Sequence, residues 1–410
     1  MDAAVHADID GAYAWRRLIA SLALATMGGV GMWAVVVVLP NVQAEFGVDR
    51  ADASFPYTMT MVGFALGNLL LGRFVDRVGY MLPAVVCSGA LGLGFILGGL
   101  APSIWVLAAA QGFFIGLGSA VTFGPLIADI SHWFVRRRGL AVAIAASGNY
   151  FAGAIWPLVI QYFLADYGWR AVYTGIGITC LVTMIPLAFT LRRQRLAISV
   201  APAAQGGVRL LSTSLSPRAL QALLIVAGFG CCMAMSMPQV HIVAYCADLG
   251  YGVARGSEML ALMLGAGVIS RLASGFLADK IGGIRTLLIG SVFQGLSLAF
   301  YIPFDGLTSL YLVSFLFGLS QGGIVPSYAV IVREYMPAAE AGKRVGIVIM
   351  ATIVGMAFGG WMTGVIYDYT GSYAAAFLNG IAWNVVNVSA MLIVLSRSSG
   401  KRPLSPSLAS

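Results

Sequence analysis

Hydrophobic residues in this chain come in long blocks, each close to the ~20 residues a helix needs to cross a bilayer core of about 30 Å. Short polar stretches separate them. Twelve blocks are found, at 17–40, 53–72, 80–100, 103–128, 139–164, 171–191, 219–246, 258–278, 284–303, 308–332, 345–367 and 373–395. In lipid every backbone N–H and C=O must be satisfied internally, so each block predicts a membrane-spanning helix.

Composition agrees. The chain is 59% hydrophobic and 10% charged, with a mean hydropathy of +0.89. Soluble domains carry about 25% charged residues, so this composition does not make a water-facing surface. The charges that remain set an orientation. With both termini placed in the cytoplasm, 20 of the 24 Lys and Arg fall on the inner face. Only Arg50, Arg170 and Arg255 fall outside, and Arg271 lies within a block. This asymmetry is the positive-inside pattern, and the net charge of +8 reports topology rather than nucleic-acid binding. The five cysteines lie in or at the ends of apolar blocks, with neither a disulfide framework nor a metal-site spacing. The first block is too long for the apolar core of a signal peptide and is expected to remain as a helix. Short loops without an appended soluble domain favour a bacterial inner membrane.

Arg271 is the one charge deep inside an apolar block, Leu260–Ala278. Such a residue costs about 2.5–3.5 kcal/mol on insertion scales, and intramembrane charges are functional by default. No acid in the neighbouring blocks lies at a depth to meet it. Two readings follow. Its planar fork of donors matches a carboxylate that comes and goes, or it caps backbone carbonyls between helices.

The chain also repeats itself. Gly72-Arg-Phe-Val-Asp76-Arg77-Val-Gly79 follows the second block, and Gly275-Phe-Leu-Ala-Asp279-Lys280-Ile-Gly282 follows the eighth, 203 residues later. Phe114–Leu117 matches Leu316–Leu319, Arg136-Arg137 matches Lys343-Arg344, and Tyr150–Gly153 matches Ala357–Gly360. A repeat of six helices marks a secondary transporter. The expected fold is an all-α membrane protein of 12 transmembrane helices in two six-helix pseudo-symmetric bundles, 1–191 and 218–410, joined by a cytoplasmic linker at 192–217.

These motifs carry a family resemblance. The G-x-x-x-D-[RK]-x-G loops resemble the signature of the major facilitator superfamily. Asp10-Gly11-Ala12-Tyr13-Ala14-Trp15 and Trp133–Gly148 (WFVRRRGLAVAIAASG) are similar to two stretches of its monocarboxylate transporter branch. Arg271 stands where that branch and the oxalate–formate exchangers place a substrate arginine. The resemblance implies alternating access, a small monocarboxylate of the lactate or pyruvate type as cargo, a proton as co-substrate, and a monomeric functional unit in lipid. No cofactor or metal is implied. Oxalate–formate-type anion exchange is the alternative. Exchangers that take a dianion carry a second cation in helix 11, and none lies in the core of 345–367 here, so one carboxylate is the better match.

By depth, Tyr150, Asn149, Phe123 and Tyr328 are candidate pocket residues, each with helix packing as the plainer alternative. His241 is the candidate proton carrier, with an interfacial histidine as its alternative. Asp76, Arg77, Asp279 and Lys280 are expected to latch the inner gate. The chain departs from the branch in three places. Gly267 stands where an acid commonly precedes the helix-8 arginine by one turn, helix 1 has no lysine, and helix 4 opens on Gln111-Gly112. A membrane-embedded enzyme would need converging acids, histidines or an activated serine. All 16 acids lie in loops or at helix ends, and His6, His132 and His241 are far apart in sequence.

Overall fold

A computed structural model describes residues 9–192 and 213–398, apart from the side chains of Asp76, Ala338 and Ala339. Most of the expected linker, 193–212, lies outside the described residues, as does the Asp76 side chain. The described chain is helical: α1 Ala12–Gly28, α2 Val30–Phe46, α3 Arg50–Val78, α4 Met81–Gly99, α5 Ile104–Ala110, a π-helical turn at Gln111–Gly116, α6 Leu117–Ala120, α7 Gly124–Ser131, α8 Arg138–Ala146, α9 Gly148–Thr190, α10 Pro217–Asp248, α11 Gly252–Ile281, α12 Gly283–Phe300, α13 Leu307–Gln321, α14 Ile324–Tyr335, α15 Ala338–Thr370 and α16 Tyr373–Arg397. Among the described residues, 11 helical stretches are long and apolar enough to cross a membrane.

Eleven spans stand against twelve blocks because two blocks share one stretch. Arg138–Thr190 makes one helical stretch of 53 residues, with a single turn residue at Ser147. A straight helix of that length would run about 80 Å, far more than one crossing. Gly168, at φ 73° and ψ 161°, breaks it between the blocks 139–164 and 171–191. Only glycine enters that region without strain.

The two repeated loops share one backbone geometry. Gly79 ends α3 at φ 80°, ψ 174°, and Gly282 ends α11 at φ 85°, ψ 164°. The glycine closing each G-x-x-x-D-[RK]-x-G element therefore makes the same turn twice.

Several expected spans are broken near mid-depth. The first is divided at Gly29, the fourth at Val121–Phe123, the fifth at Ser147 and the tenth at Gly322–Gly323. Helix α9 packs on α1, α4 and α11, α3 on α15, and α10 on α15 and α16. Large apolar side chains such as Leu69, Phe276 and Leu312 stay exposed on the outside, as suits a lipid-facing wall.

Candidate functional site

Arg271 lies on α11 beside two of these breaks. Its Nη1 donates to the carbonyl of Ala146, the last residue of α8, at 2.7 Å. Its Nε donates to the carbonyl of Gly322, which caps α13, at 3.3 Å. The guanidinium lies 4.5 Å from the centre of the Tyr150 ring. Physics accounts for each contact. The C-terminal end of a helix carries a partial negative charge and carbonyls without intrahelical partners, and an aromatic face attracts a cation. Two helix ends and one ring thus hold a cation at membrane depth. Among the described residues no carboxylate forms an ion pair with Arg271. Two of its three nitrogens are engaged with backbone, and the third, Nη2, is not used in these contacts.

Gly267 has a structural reason. A Cβ placed there would lie 2.4 Å from a Tyr150 ring carbon. The glycine lets the ring lie against α11, one turn before Arg271, in the space an acid would otherwise fill. The residue that reads as a departure from the branch is what seats Tyr150.

The other candidates disperse. Asn149 is half-buried; its backbone carbonyl accepts from Trp33 Nε1 at 3.2 Å, and its buried Oδ1 has no partner among the described residues. Phe123 sits half-buried at the non-helical break before α7 and packs on Phe64, ring centres 5.8 Å apart. Tyr328 is fully buried, and its hydroxyl donates to Asn387 Oδ1 at 3.1 Å, which ties α14 to α16. His241 lies at the far end of α10, its Nε2 2.7 Å from the Gly360 carbonyl and its ring 5.9 Å from Tyr373. Arg77, Asp279 and Lys280 are exposed and make no hydrogen bond or ion pair with the described residues. A largely apolar surface groove of about 610 Å³ lies between α9, α11 and α13 along Leu158, Leu262, Ile269 and Phe315, and Arg271 does not line it.

The two stretches that carry the branch resemblance meet in space. The Asp10 carboxylate accepts backbone N–H groups of Val135, Arg136 and Arg137 at 3.2, 2.9 and 3.4 Å. Tyr13 packs on Trp133 at 5.0 Å and Trp15 on Phe134 at 5.2 Å. Slight burial pushes the Asp10 carboxyl up, but the three backbone donors outweigh it and hold the group below the usual carboxylate range. Beside them Arg17 makes a two-pronged pair with Asp129, both contacts 2.8 Å, and donates to the Leu191 carbonyl.

With this geometry in place, comparison with known proteins is decisive. The family model described as the Major Facilitator Superfamily matches residues 21–310 and 259–408. The chain belongs to the Major Facilitator Superfamily. Within the superfamily its relatives include monocarboxylate transporters, as the Asp10 and Trp133 stretches indicate. It is 28% identical to monocarboxylate transporter 13 of Bos taurus over 332 residues, 80% of this chain and 75% of that one. It is 26% identical to monocarboxylate transporter 11 of Mus musculus over 391 residues, 90% of this chain and 84% of that one. The MFS transporter asaE of Aspergillus flavus is 24% identical, over 71% of this chain and 65% of its own. In fold the chain is similar to a bacterial homologue of the human lysosomal transporter Spinster in an inward-facing, occupied conformation. The TM-score is 0.73 and the identity 13%, over 94% of this chain and 97% of that one.

Proposed function

We propose that this superfamily member is a secondary carrier that moves a small monocarboxylate by alternating access. In this reading twelve crossings form two six-helix bundles with both termini in the cytoplasm of a bacterial inner membrane. The bundles rock about a midplane site. Arg271 holds the carboxylate, and the Asp76 and Asp279 loops latch the inner face when the site opens outward.

The observation that carries the reading is that the half-buried Arg271 lies against helix-end carbonyls and a ring while no carboxylate among the described residues pairs with it. A charge-assisted bond to a carboxylate is roughly twice as strong as one to a neutral carbonyl. An incoming carboxylate therefore outcompetes Ala146 and Gly322, and Nη2 supplies the second prong. Tyr150 faces the same guanidinium and is the aromatic candidate that meets the substrate. Asn149 joins it by accepting from a substrate hydroxyl at its unpartnered Oδ1, with Phe123 and Tyr328 as more remote walls of the pocket. A single fixed cation favours a monoanion, because a second buried negative charge would remain unpaired.

Two modes of coupling stand. Proton symport follows from likeness to the monocarboxylate transporters, with His241 as the candidate carrier. Anion exchange is favoured by Gly267 seating Tyr150 where an acid would stand. Uptake into proteoliposomes from a panel of C2–C6 acids tests both the reading and the mode. Symport predicts accumulation in empty vesicles under an inward proton gradient, and exchange predicts uptake only with substrate inside. Arg271→Gln in parallel abolishes uptake if the site is right; retained uptake rejects it.

A further inference from the structure

At the end of the molecule opposite Arg17 and Asp129, the first and last parts of the chain are joined through one residue. Arg50 is the first residue of α3 and only 6% exposed. Its Nη1 lies 3.0 Å from Asp248 Oδ2 and its Nη2 3.1 Å from Asp248 Oδ1, at the end of α10. Nη1 also donates to the Tyr373 hydroxyl on α16. The guanidinium sits over the Tyr367 ring of α15, 4.7 Å from its centre. The backbone N–H groups of Arg50 and Ala51 donate to the two oxygens of Asp368, at 2.9 and 2.8 Å, so a carboxylate from α15 caps α3.

The junction continues as a seam. A Cβ on Gly364 would lie 2.7 Å from Ala51 Cα, and one on Gly360 2.9 Å from the Tyr57 ring. Thr58 Oγ1 donates to the Ala357 carbonyl at 2.9 Å. His241 backs the seam by bonding Gly360 and touching Tyr373. Residues 51, 57 and 58 on α3 thus meet 364, 360 and 357 on α15, backbone against backbone at Ala51 and through the Tyr57 ring and Thr58 hydroxyl at the other two. At the other end Arg77, Asp279 and Lys280 make no corresponding bond with the described residues. One end of the interface is tied by a buried charge network, and at the other the side chains of Arg77, Asp279 and Lys280 form no such network among the described residues.

We propose that Arg50 is a conformational latch. Its network with Asp248, Asp368, Tyr367 and Tyr373 closes the passage at the end opposite the termini, and its release opens that end to substrate. The latch rests on the alternating-access reading above but not on the identity of the cargo. A buried arginine suits this task because removing one partner leaves the other buried and unpaired, so the network opens as a unit rather than bond by bond.

The test uses spin-label distances in the full chain. The five cysteines are buried and free, so labels go to introduced sites. One pair, Tyr167→Cys and Tyr369→Cys, lies at the Arg50 end, where the native residues are 67% and 88% exposed. A second pair, Val135→Cys and Arg285→Cys, reports on the opposite end. In Arg50→Gln the first pair gains a longer distance whose population rises at least about tenfold, while the second pair shortens. Asp248→Asn and Asp368→Asn move both pairs the same way, less far, and decide the matter if Arg50→Gln does not fold. Arg255→Gln, which breaks an ion pair within α11 at the same end, changes neither distance. Distributions in all three latch variants that superimpose on the native ones overturn the latch. Carboxylate uptake by the native protein with such unchanged distances removes the latch and keeps the cargo. Shifted distances with no carboxylate uptake by the native protein do the reverse.

Discussion

Arg17 and Arg271 are both arginines on helices that cross the fold, the first buried and the second half-buried, and they are held in opposite ways. Arg17 is 3% exposed and meets Asp129 with two bonds of 2.8 Å, adds the Leu191 carbonyl, and lies 4.8 Å from the centre of the Trp133 ring. Arg271 has carbonyls at 2.7 and 3.3 Å and the Tyr150 ring, without a carboxylate among its contacts. A cation with a full negative charge fixed beside it is a strut. A cation held by partial charges is supported well enough to stay within the fold, yet a stronger partner can still claim it.

The comparison breaks most sharply on stability. Arg17→Ala leaves Asp129 part-buried and unpaired, and is expected to cost about 3–5 kcal/mol, seen as a large drop in Tm by tryptophan fluorescence. Arg271→Gln removes a desolvated charge that no carboxylate balances, so its Tm stays at or above the native value. A loss in Arg271→Gln as large as in Arg17→Ala would make both residues struts.

A smaller effect falls on Gly267. Gly267→Ala drives a methyl into the Tyr150 ring, an overpacking expected to cost ~1–3 kcal/mol and to reduce uptake. On a Tyr150→Leu background the same substitution does much less, because the ring it strikes is gone. Equal effects on both backgrounds would separate Gly267 from Tyr150. Tyr150→Leu alone removes the contact between ring and cation, worth about 0.5–2 kcal/mol, and weakens substrate binding by a few-fold up to roughly thirtyfold. Tyr150→Phe keeps the face and stays near native. Loss of binding in Tyr150→Phe as deep as in Tyr150→Leu would assign the effect to the hydroxyl.

The smallest effect is on the Asp10 clamp at the Arg17 end. Its carboxyl titrates lower when docked than when free, so the clamp's contribution is complete above the ordinary Asp range near ~4 and fades as pH falls through the lowered value. Proteolysis at Arg136–Arg138 is expected to be slow at pH 5–7 and faster once the clamp protonates. Asp10→Asn should lose that pH dependence; a native-like pH profile in Asp10→Asn would place the titration elsewhere.

Much of the membrane fold was legible because lipid makes helix position a matter of composition. The blocks, the repeated loops and the lone charge of Arg271 all stand out in the string of residues, and the family comparison agrees with the motifs that pointed there. The helix breaks at Ser147 and Gly322 were not legible. Glycine and serine are common in membrane helices, and tertiary packing rather than local sequence decides which ones interrupt. Those breaks supply the carbonyls that hold Arg271, so the position of this charge within an apolar block was readable and its internal support was not. Depth points to Tyr328 and a titratable ring to His241, and neither says which way a side chain turns; their polar atoms meet Asn387 and the Gly360 carbonyl. Arg50 registered only as one of few charges on the outer face. Its partners are 198, 318 and 323 residues away along the chain, and no spacing rule connects them.

Arg271 is proposed to exchange backbone carbonyls for a visiting carboxylate. Calorimetric titration of purified protein with C2–C6 monocarboxylates tests it most directly, run beside Arg271→Gln. Saturable binding to the native protein is expected, with at least about tenfold weaker binding to the variant at a Tm no lower than native. Equal affinity in the two proteins would contradict it.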